Sequence, residues 1–160
     1  MKRFILLLVI YGFVVGGLYA KVPTTCHKIR LKDNWEFLRQ DVGNIWELVR
    51  PVKKGQPEEQ PIWTQVTLPH CFNAEDAVDP NVNYYQGPGW YRTCLKLNNP
   101  YQNGRVLLEF EGAGQKTDVY IYMTKVGSHV GGYDSWNVDI TDAVQTFLLS
   151  KDAERFGGKI

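Results

Sequence analysis

Cysteine is scarce. Cys26, Cys71 and Cys94 are the three in 160 residues, so at least one thiol stays unpaired and no disulfide framework can hold the fold together. None has a metal-finger neighbour at the usual spacing, and Cys94 lies inside an alternating run as a small strand residue. The three histidines are scattered and no His-Glu-x-x-His pattern occurs, so no metal site is expected. Charge of one sign is also lacking. The formal net charge is +1, with no basic stripe or patch, which removes nucleic acid from the expected partners. Long apolar runs are missing as well. The longest, Phe4 to Val15, is shorter than the roughly 20 residues that span a bilayer, and two glycines follow it. A membrane is therefore not an expected partner either.

That short apolar run has a different reading. Lys2 and Arg3 precede it, and the small residues Gly16, Gly17 and Ala20 follow it, which is the layout of a secretory signal peptide. The expectation is a signal over residues 1–20, cut after Ala20 or Gly17, and export to the periplasm or beyond. Residues 21–160 then form one domain of about 140 residues, large enough to bury roughly two-thirds of its unfolded surface.

This domain reads as all-β. His27 to Leu31 alternates, Trp35 and Phe37 share a strand face, and Ile45 to Val52 is a further β-type run rich in Val, Ile and Trp. Lys53 to Pro61 is a loop, and Trp63 to Leu68 is a short strand that Pro69 ends. His70 to Pro88 is a long irregular stretch with a turn at Asp79-Pro80-Asn81, and loops of that length are usually functional or disordered. Its aromatics, Phe72, Tyr84 and Tyr85, argue for order. Trp90 to Leu97, Arg105 to Glu111, Asp118 to Met123 and Trp136 to Ile140 all alternate, with Val106, Leu108, Phe110, Val119, Ile121, Met123, Trp136, Val138 and Ile140 inward. Asn98 to Gly104 is a turn. Thr141 or Asp142 then caps a helix whose apolar face is Ala143, Val144, Phe147, Leu148 and Phe156, stopped by Gly157-Gly158. Lys159-Ile160 starts another element, so the expectation is a truncated sandwich whose last strand lies beyond Ile160.

Four signatures recur in order along these strands: Leu68-Pro69-His70 within Thr67 to Asp76, Gly89-Trp90-Tyr91-Arg92, Val126-Gly127 with His129 to Tyr133, and Asp139-Ile140-Thr141-Asp142. With Asn34-Trp35-Glu36-Phe37 as an opening strand, the chain resembles the N-terminal sugar-binding domain of glycoside hydrolase family 2, of β-galactosidase type. The resemblance implies a galactose-binding-like jelly-roll β-sandwich with a short C-terminal helix. It departs from the family at Tyr122-Met123-Thr124, where an Asn-Gly hairpin is usual. Those side chains disfavour a type I′ turn, so the expectation is a wider hairpin or one displaced from this position.

The resemblance also divides the chemistry. The family's retaining hydrolysis uses two carboxylates about 5–5.5 Å apart, and in the family both come from a later (β/α)₈ barrel. Nothing in this sequence looks like that barrel, and the family's Asn-Glu pair does not occur. No catalytic residue and no cofactor is assigned. The implied partners are a carbohydrate (a β-galactoside or a related sugar), the catalytic barrel and further sandwich domains. In family β-galactosidases the long loop before the Gly-Trp-Tyr-Arg strand lends the sugar site an asparagine. Here that points to Asn81 or Asn83, with Tyr84 beside them, since an amide offers a hydroxyl both donor and acceptor. A turn asparagine bonding its own backbone is the competing reading for each. His70 is expected to bond backbone. His129 could line a surface loop, and Tyr133 and Trp136 flank Gly131-Gly132 as weaker sugar-stacking candidates, since sandwich aromatics are more often core. A free-standing carbohydrate-binding module and an adhesive sandwich are the alternatives to an enzyme fragment.

Overall fold

A computed structural model describes residues 26–50, 61–97 and 103–160. The expected signal peptide, the loop over 53–60 and the turn over 98–102 lie outside the described residues. The chain divides into two units, Met1–Arg30 and Leu31–Ile160. In the first, the described residues 26–30 form no strand, against the alternation expected from His27.

The second unit is strand-rich. Its elements are β1 (Trp35–Arg39), α1 (Ile45–Val49), β2 (Thr64–Val66), β3 (Gly89–Arg92), β4 (Leu107–Phe110), β5 (Lys116–Ile121), β6 (Thr124–Val130), β7 (Trp136–Asp139), α2 (Thr141–Leu148) and α3 (Asp152–Arg155). The described strands pair antiparallel in three sheets, β2-β1-β3, β4-β7 and β5-β6. This agrees in outline with a sugar-binding sandwich. The described strands do not close into the jelly roll the motifs led one to expect.

The main core follows from two periodicities. β5 turns Val119 and Ile121 inward, β7 supplies Val138 with Ile140 just beyond it, and α2 and α3 bring Val144, Phe147 and Ala153 onto the same cluster. Each fully buried Val, Ile or Phe side chain stabilises the fold by about 1.5–3 kcal/mol. Ile140 is the most deeply buried, at 1% exposure. Its backbone N–H donates to Val106 O at 3.0 Å, while the Thr141 hydroxyl accepts the Val106 N–H at 2.8 Å. The start of α2 is thereby stitched to the segment leading into β4.

Several expectations fail locally. Ile45–Val49 is a single helical turn with no buried residue, not a strand. An Asx turn (Gly43 N–H to Asp41 Oδ1, 2.9 Å) leads into it, and a Glu47–Arg50 ion pair at 2.8 Å spans it. The β5–β6 hairpin is tight: Ile121 pairs with Thr124, leaving Tyr122 and Met123 as the loop. Tyr122 alone takes positive φ, at 55°, the sign pattern of a type II′ turn. That geometry turns Met123 outward at 40% exposure and lays Tyr122 on Phe147 and Phe156, with centroids 5.3 and 5.7 Å away. Finally, the C-terminal helix breaks at Ser150, whose Oγ donates to Phe147 O at 2.6 Å, and Leu148 faces outward. Neither Thr141 nor Asp142 caps it by side chain; the Asp139 carboxylate accepts the Thr141 N–H at 3.0 Å instead. Gly157 and Gly158 do end α3 with positive φ, and Ile160 then exchanges backbone hydrogen bonds with Leu95 at 2.5 and 2.8 Å.

Candidate functional site

The long loop expected to meet sugar is built on β1. In a strand, residues two apart share a face, so Phe37 and Arg39 point the same way while Glu36 and Leu38 point the other. Phe37 is buried and gathers His70, Phe72 and Tyr91 around it, with ring centroids at 4.9, 5.9 and 4.8 Å. Gly89 passes so close that a Cβ there would lie 3.2 Å from the Phe37 ring, which leaves room for little else at the entry to β3. The loop from 70 to 88 therefore starts and ends on one aromatic cluster. His70 bonds a side chain, not backbone as expected: its Nδ1 lies 2.8 Å from the Tyr91 hydroxyl. Burial, then the nearby Cys71, push the Tyr91 phenol up to about 12.

Beyond this cluster the loop is held by polar groups. Residues 73–79 wind through turns, with Ala77 N–H on Asn73 O at 3.1 Å and Asp79 N–H on Glu75 O at 3.3 Å. Asp76 is the anchor; its side chain is 2% exposed. The carboxylate accepts Arg39 Nη1 at 2.8 and 2.9 Å and the Tyr85 backbone N–H at 3.0 Å. Those contacts hold its pKa below the usual carboxylate value, the Tyr85 N–H first and Arg39 second, against burial. Arg39 Nη1 also donates to Phe72 O at 3.1 Å, and its guanidinium sits 5.0 Å from the Tyr85 ring centroid. Asn73 Nδ2 donates to Tyr85 O at 3.0 Å, and the Tyr85 hydroxyl donates to Pro88 O at 3.1 Å.

Asn81, Asn83 and Tyr84 lie between Asp76 and Tyr85, the two residues that this network ties together. All three are exposed, Tyr84 at 59%. The Asp79 carboxylate accepts the Asn81 N–H at 2.9 Å, and Val82 N–H bonds Asp79 O at 3.2 Å, which fixes the turn expected at Asp79-Pro80-Asn81. The Asn81 side chain does not make that turn; Asp79 does. Among the described residues, the side-chain amides of Asn81 and Asn83 make no hydrogen bond, so both are open to a hydroxyl. Arg39, Asn73, Asp76 and Tyr85 were not among the expected site residues, although Tyr85 was one of the aromatics expected to order the loop. The signal for Asp76 was present: it ends the Thr67 to Asp76 motif inside an otherwise irregular loop.

The other candidates sort differently. Tyr133 is fully exposed, while Trp136 lies between Phe110 and His129. His129 is tied to the loop that follows β6: its Nε2 is 3.0–3.1 Å from the Asp134 carboxylate, whose pKa it lowers. On the opposite face of β1, Glu36 accepts Arg92 Nε at 2.6 Å and Gln65 Nε2 at 3.1 Å at the edge of a cleft of about 390 Å³, with Arg92 also 3.9 Å over the Trp63 ring. None of the three loop residues lines that cleft. Cys26, Cys71 and Cys94 are free and exposed. Among the described residues, no group of three or more His, Cys, Asp or Glu could hold a metal ion, and no helix is long and apolar enough to cross a membrane.

Residues 30–148 match the family described as glycosyl hydrolases family 2, sugar binding domain. A putative beta-glucuronidase of Formosa agariphila is 30% identical over 143 residues, covering 88% of this chain and 16% of its own length. The crystal structure of Parabacteroides merdae beta-glucuronidase is 72% identical with a TM-score of 0.78, over 83% of this chain and 17% of that one. Bacteroides uniformis beta-glucuronidase 3 is 65% identical with a TM-score of 0.78, over 84% of this chain and 18% of that one. The chain thus spans 16–18% of the length of these relatives. Their names do not single out the β-galactosidase type that the motifs led one to expect. The chain belongs to glycoside hydrolase family 2, whose sugar binding domain it carries.

Proposed function

We propose that this chain is the non-catalytic N-terminal sandwich of an exported β-glucuronidase, docked on a separate catalytic barrel and lending the loop Asn81 to Tyr84 to one wall of its sugar pocket. The observation that carries the substrate is the 72% identity to the Parabacteroides merdae enzyme across most of the chain. A jelly roll completed in the whole enzyme is part of the same proposal. The division of labour follows from chemistry. Retaining hydrolysis needs a nucleophile and an acid/base on either side of one glycosidic bond. Here Glu36, Glu47, Asp76, Asp118 and Asp139 are each paired with a cation. The loop instead offers amides and a phenol, groups that orient hydroxyls.

The test is to assay the chain alone, and joined to the remainder of its enzyme, on 4-nitrophenyl β-D-glucuronide and 4-nitrophenyl β-D-galactoside. The joined protein is expected to hydrolyse the glucuronide at least tenfold faster, and the chain alone neither. Preference for the galactoside would restore the β-galactosidase type. Turnover by the chain alone would end the non-catalytic reading.

A further inference from the structure

The loop Asn81 to Tyr84 has exposed side chains, yet the residue that follows it is held on every side. Tyr85 gives its N–H to Asp76, its carbonyl oxygen accepts Asn73, its ring lies under the Arg39 guanidinium, and its hydroxyl donates to Pro88 O. The four contacts come from three parts of the chain: β1, the turn over 73–79, and the entry to β3. An exposed loop without such support samples many conformations, and ordering it on ligand binding costs affinity. A loop whose stem is fixed bears that cost at folding instead.

The buried carboxylate is the centre of this arrangement. Asp76 is within hydrogen-bond reach of two donors, Arg39 Nη1 and the Tyr85 N–H, and Arg39 reaches on to Phe72 O. An amide at position 76 would keep one acceptor oxygen but turn an N–H₂ toward a guanidinium, so two donors would face each other. Arg39 stands at the end of β1, whose register with β3 runs Arg39 to Gly89. The clamp thus ties the loop to the sheet at both its stems, Phe72 at one and Tyr85 at the other.

We propose that Asp76 and Arg39 are positioning residues that preorganise the Asn81 to Tyr84 loop for sugar binding, without touching the sugar themselves. This rests on the loop's role proposed above. The clamp does its work on bound substrate and transition state alike, so its loss raises KM more than it lowers kcat.

The experiment uses the whole enzyme and 4-nitrophenyl β-D-glucuronide. Asp76→Asn and the milder Arg39→Lys are each expected to raise KM about tenfold or more with kcat within about threefold. Both are expected to speed hydrogen exchange at residues 79–86 while β5 and β7 stay protected. In an Asn81→Ala/Asn83→Ala/Tyr84→Phe background the further effect of Asp76→Asn on KM should vanish, since the loop then has no polar side chain left to position. Unchanged loop exchange in both clamp variants overturns the clamp. Changed exchange with unchanged KM overturns its role in substrate binding. If Asn81→Ala/Asn83→Ala/Tyr84→Phe leaves KM unchanged, the loop's role itself fails, whatever the exchange shows. Should Asp76→Asn not fold, Arg39→Lys carries the same three readings.

Discussion

Trp136 and Phe110, cross-strand partners on β7 and β4, stack nearly parallel at 4.4 Å with 11° between their planes. His129 stacks on Trp136 too, at 4.7 Å and 16°. The indole Nε1 is buried and has no hydrogen-bond partner among the described residues. Area and stacking favour tryptophan here, while the unmet N–H works against it. Trp136→Ala is expected to cost about 3–5 kcal/mol, and Trp136→Phe under about 1.5, because phenylalanine keeps the stack and removes the orphan donor. Urea denaturation of the two variants checks the order; equal losses would mean the stack contributes little.

Asp139 links β7 to α2. It pairs with Arg105 and accepts the Thr141 N–H at 3.0 Å. Arg105 first, then Thr141, lower its pKa from 3.8 to about 2. A carboxylate depressed in the folded state stabilises fully above its unfolded pKa and loses that contribution as pH falls through the folded one. Denaturation midpoints should therefore fall between about pH 4 and about pH 2, and Asp139→Asn should flatten that limb. An unaltered acid limb in Asp139→Asn would place the acid sensitivity elsewhere.

How much of this was legible depends on whether a residue's role repeats along the chain. Val119, Ile121, Val138 and Ile140 lie in period-two runs facing one core, so alternation found them. Ile45 to Val49 carries the same residue types without that context, and local turn chemistry at Asp41 and Glu47 prevails. Met123 fails for a related reason: the alternation of β5 ends at Ile121, and the positive φ of Tyr122 in the two-residue turn sends Tyr122 onto the core and Met123 outward. The loop was legible as a loop, and its motif pointed to Asn81, Asn83 and Tyr84. Its anchor was not. Asp76 meets Arg39 from 37 positions away, and no periodicity encodes a single pair of that kind.

Gly127 marks a close approach between sheets. A Cβ there would lie 3.0 Å from one Val138 methyl and 3.1 Å from the other, tighter than ordinary contact. Its backbone conformation is one an alanine accepts, so the cost is steric alone. Gly127→Ala is expected to destabilise by about 1–3 kcal/mol. Val138→Ala opens a cavity and is destabilising as well. Because the two changes meet at one contact, the double variant should be more stable than the sum of the single losses predicts. Additive losses by thermal or urea unfolding would mean the strands do not press together at this point.

Tyr122 sets two opposing effects against each other. It holds φ at 55°, a conformation that glycine adopts freely and a tyrosine only at a cost of roughly 1–2 kcal/mol. Its ring also packs on Phe147 and Phe156 against the core. Truncating a packed aromatic costs about 3–5 kcal/mol, which exceeds the backbone relief. Tyr122→Gly is therefore expected to be net destabilising by about 2 kcal/mol. Tyr122→Ala should be worse still, since it loses the ring and keeps the strained backbone. Chemical denaturation that ranks wild type above glycine and glycine above alanine supports this account. A glycine variant more stable than wild type would show that turn strain, not aromatic packing, decides this hairpin.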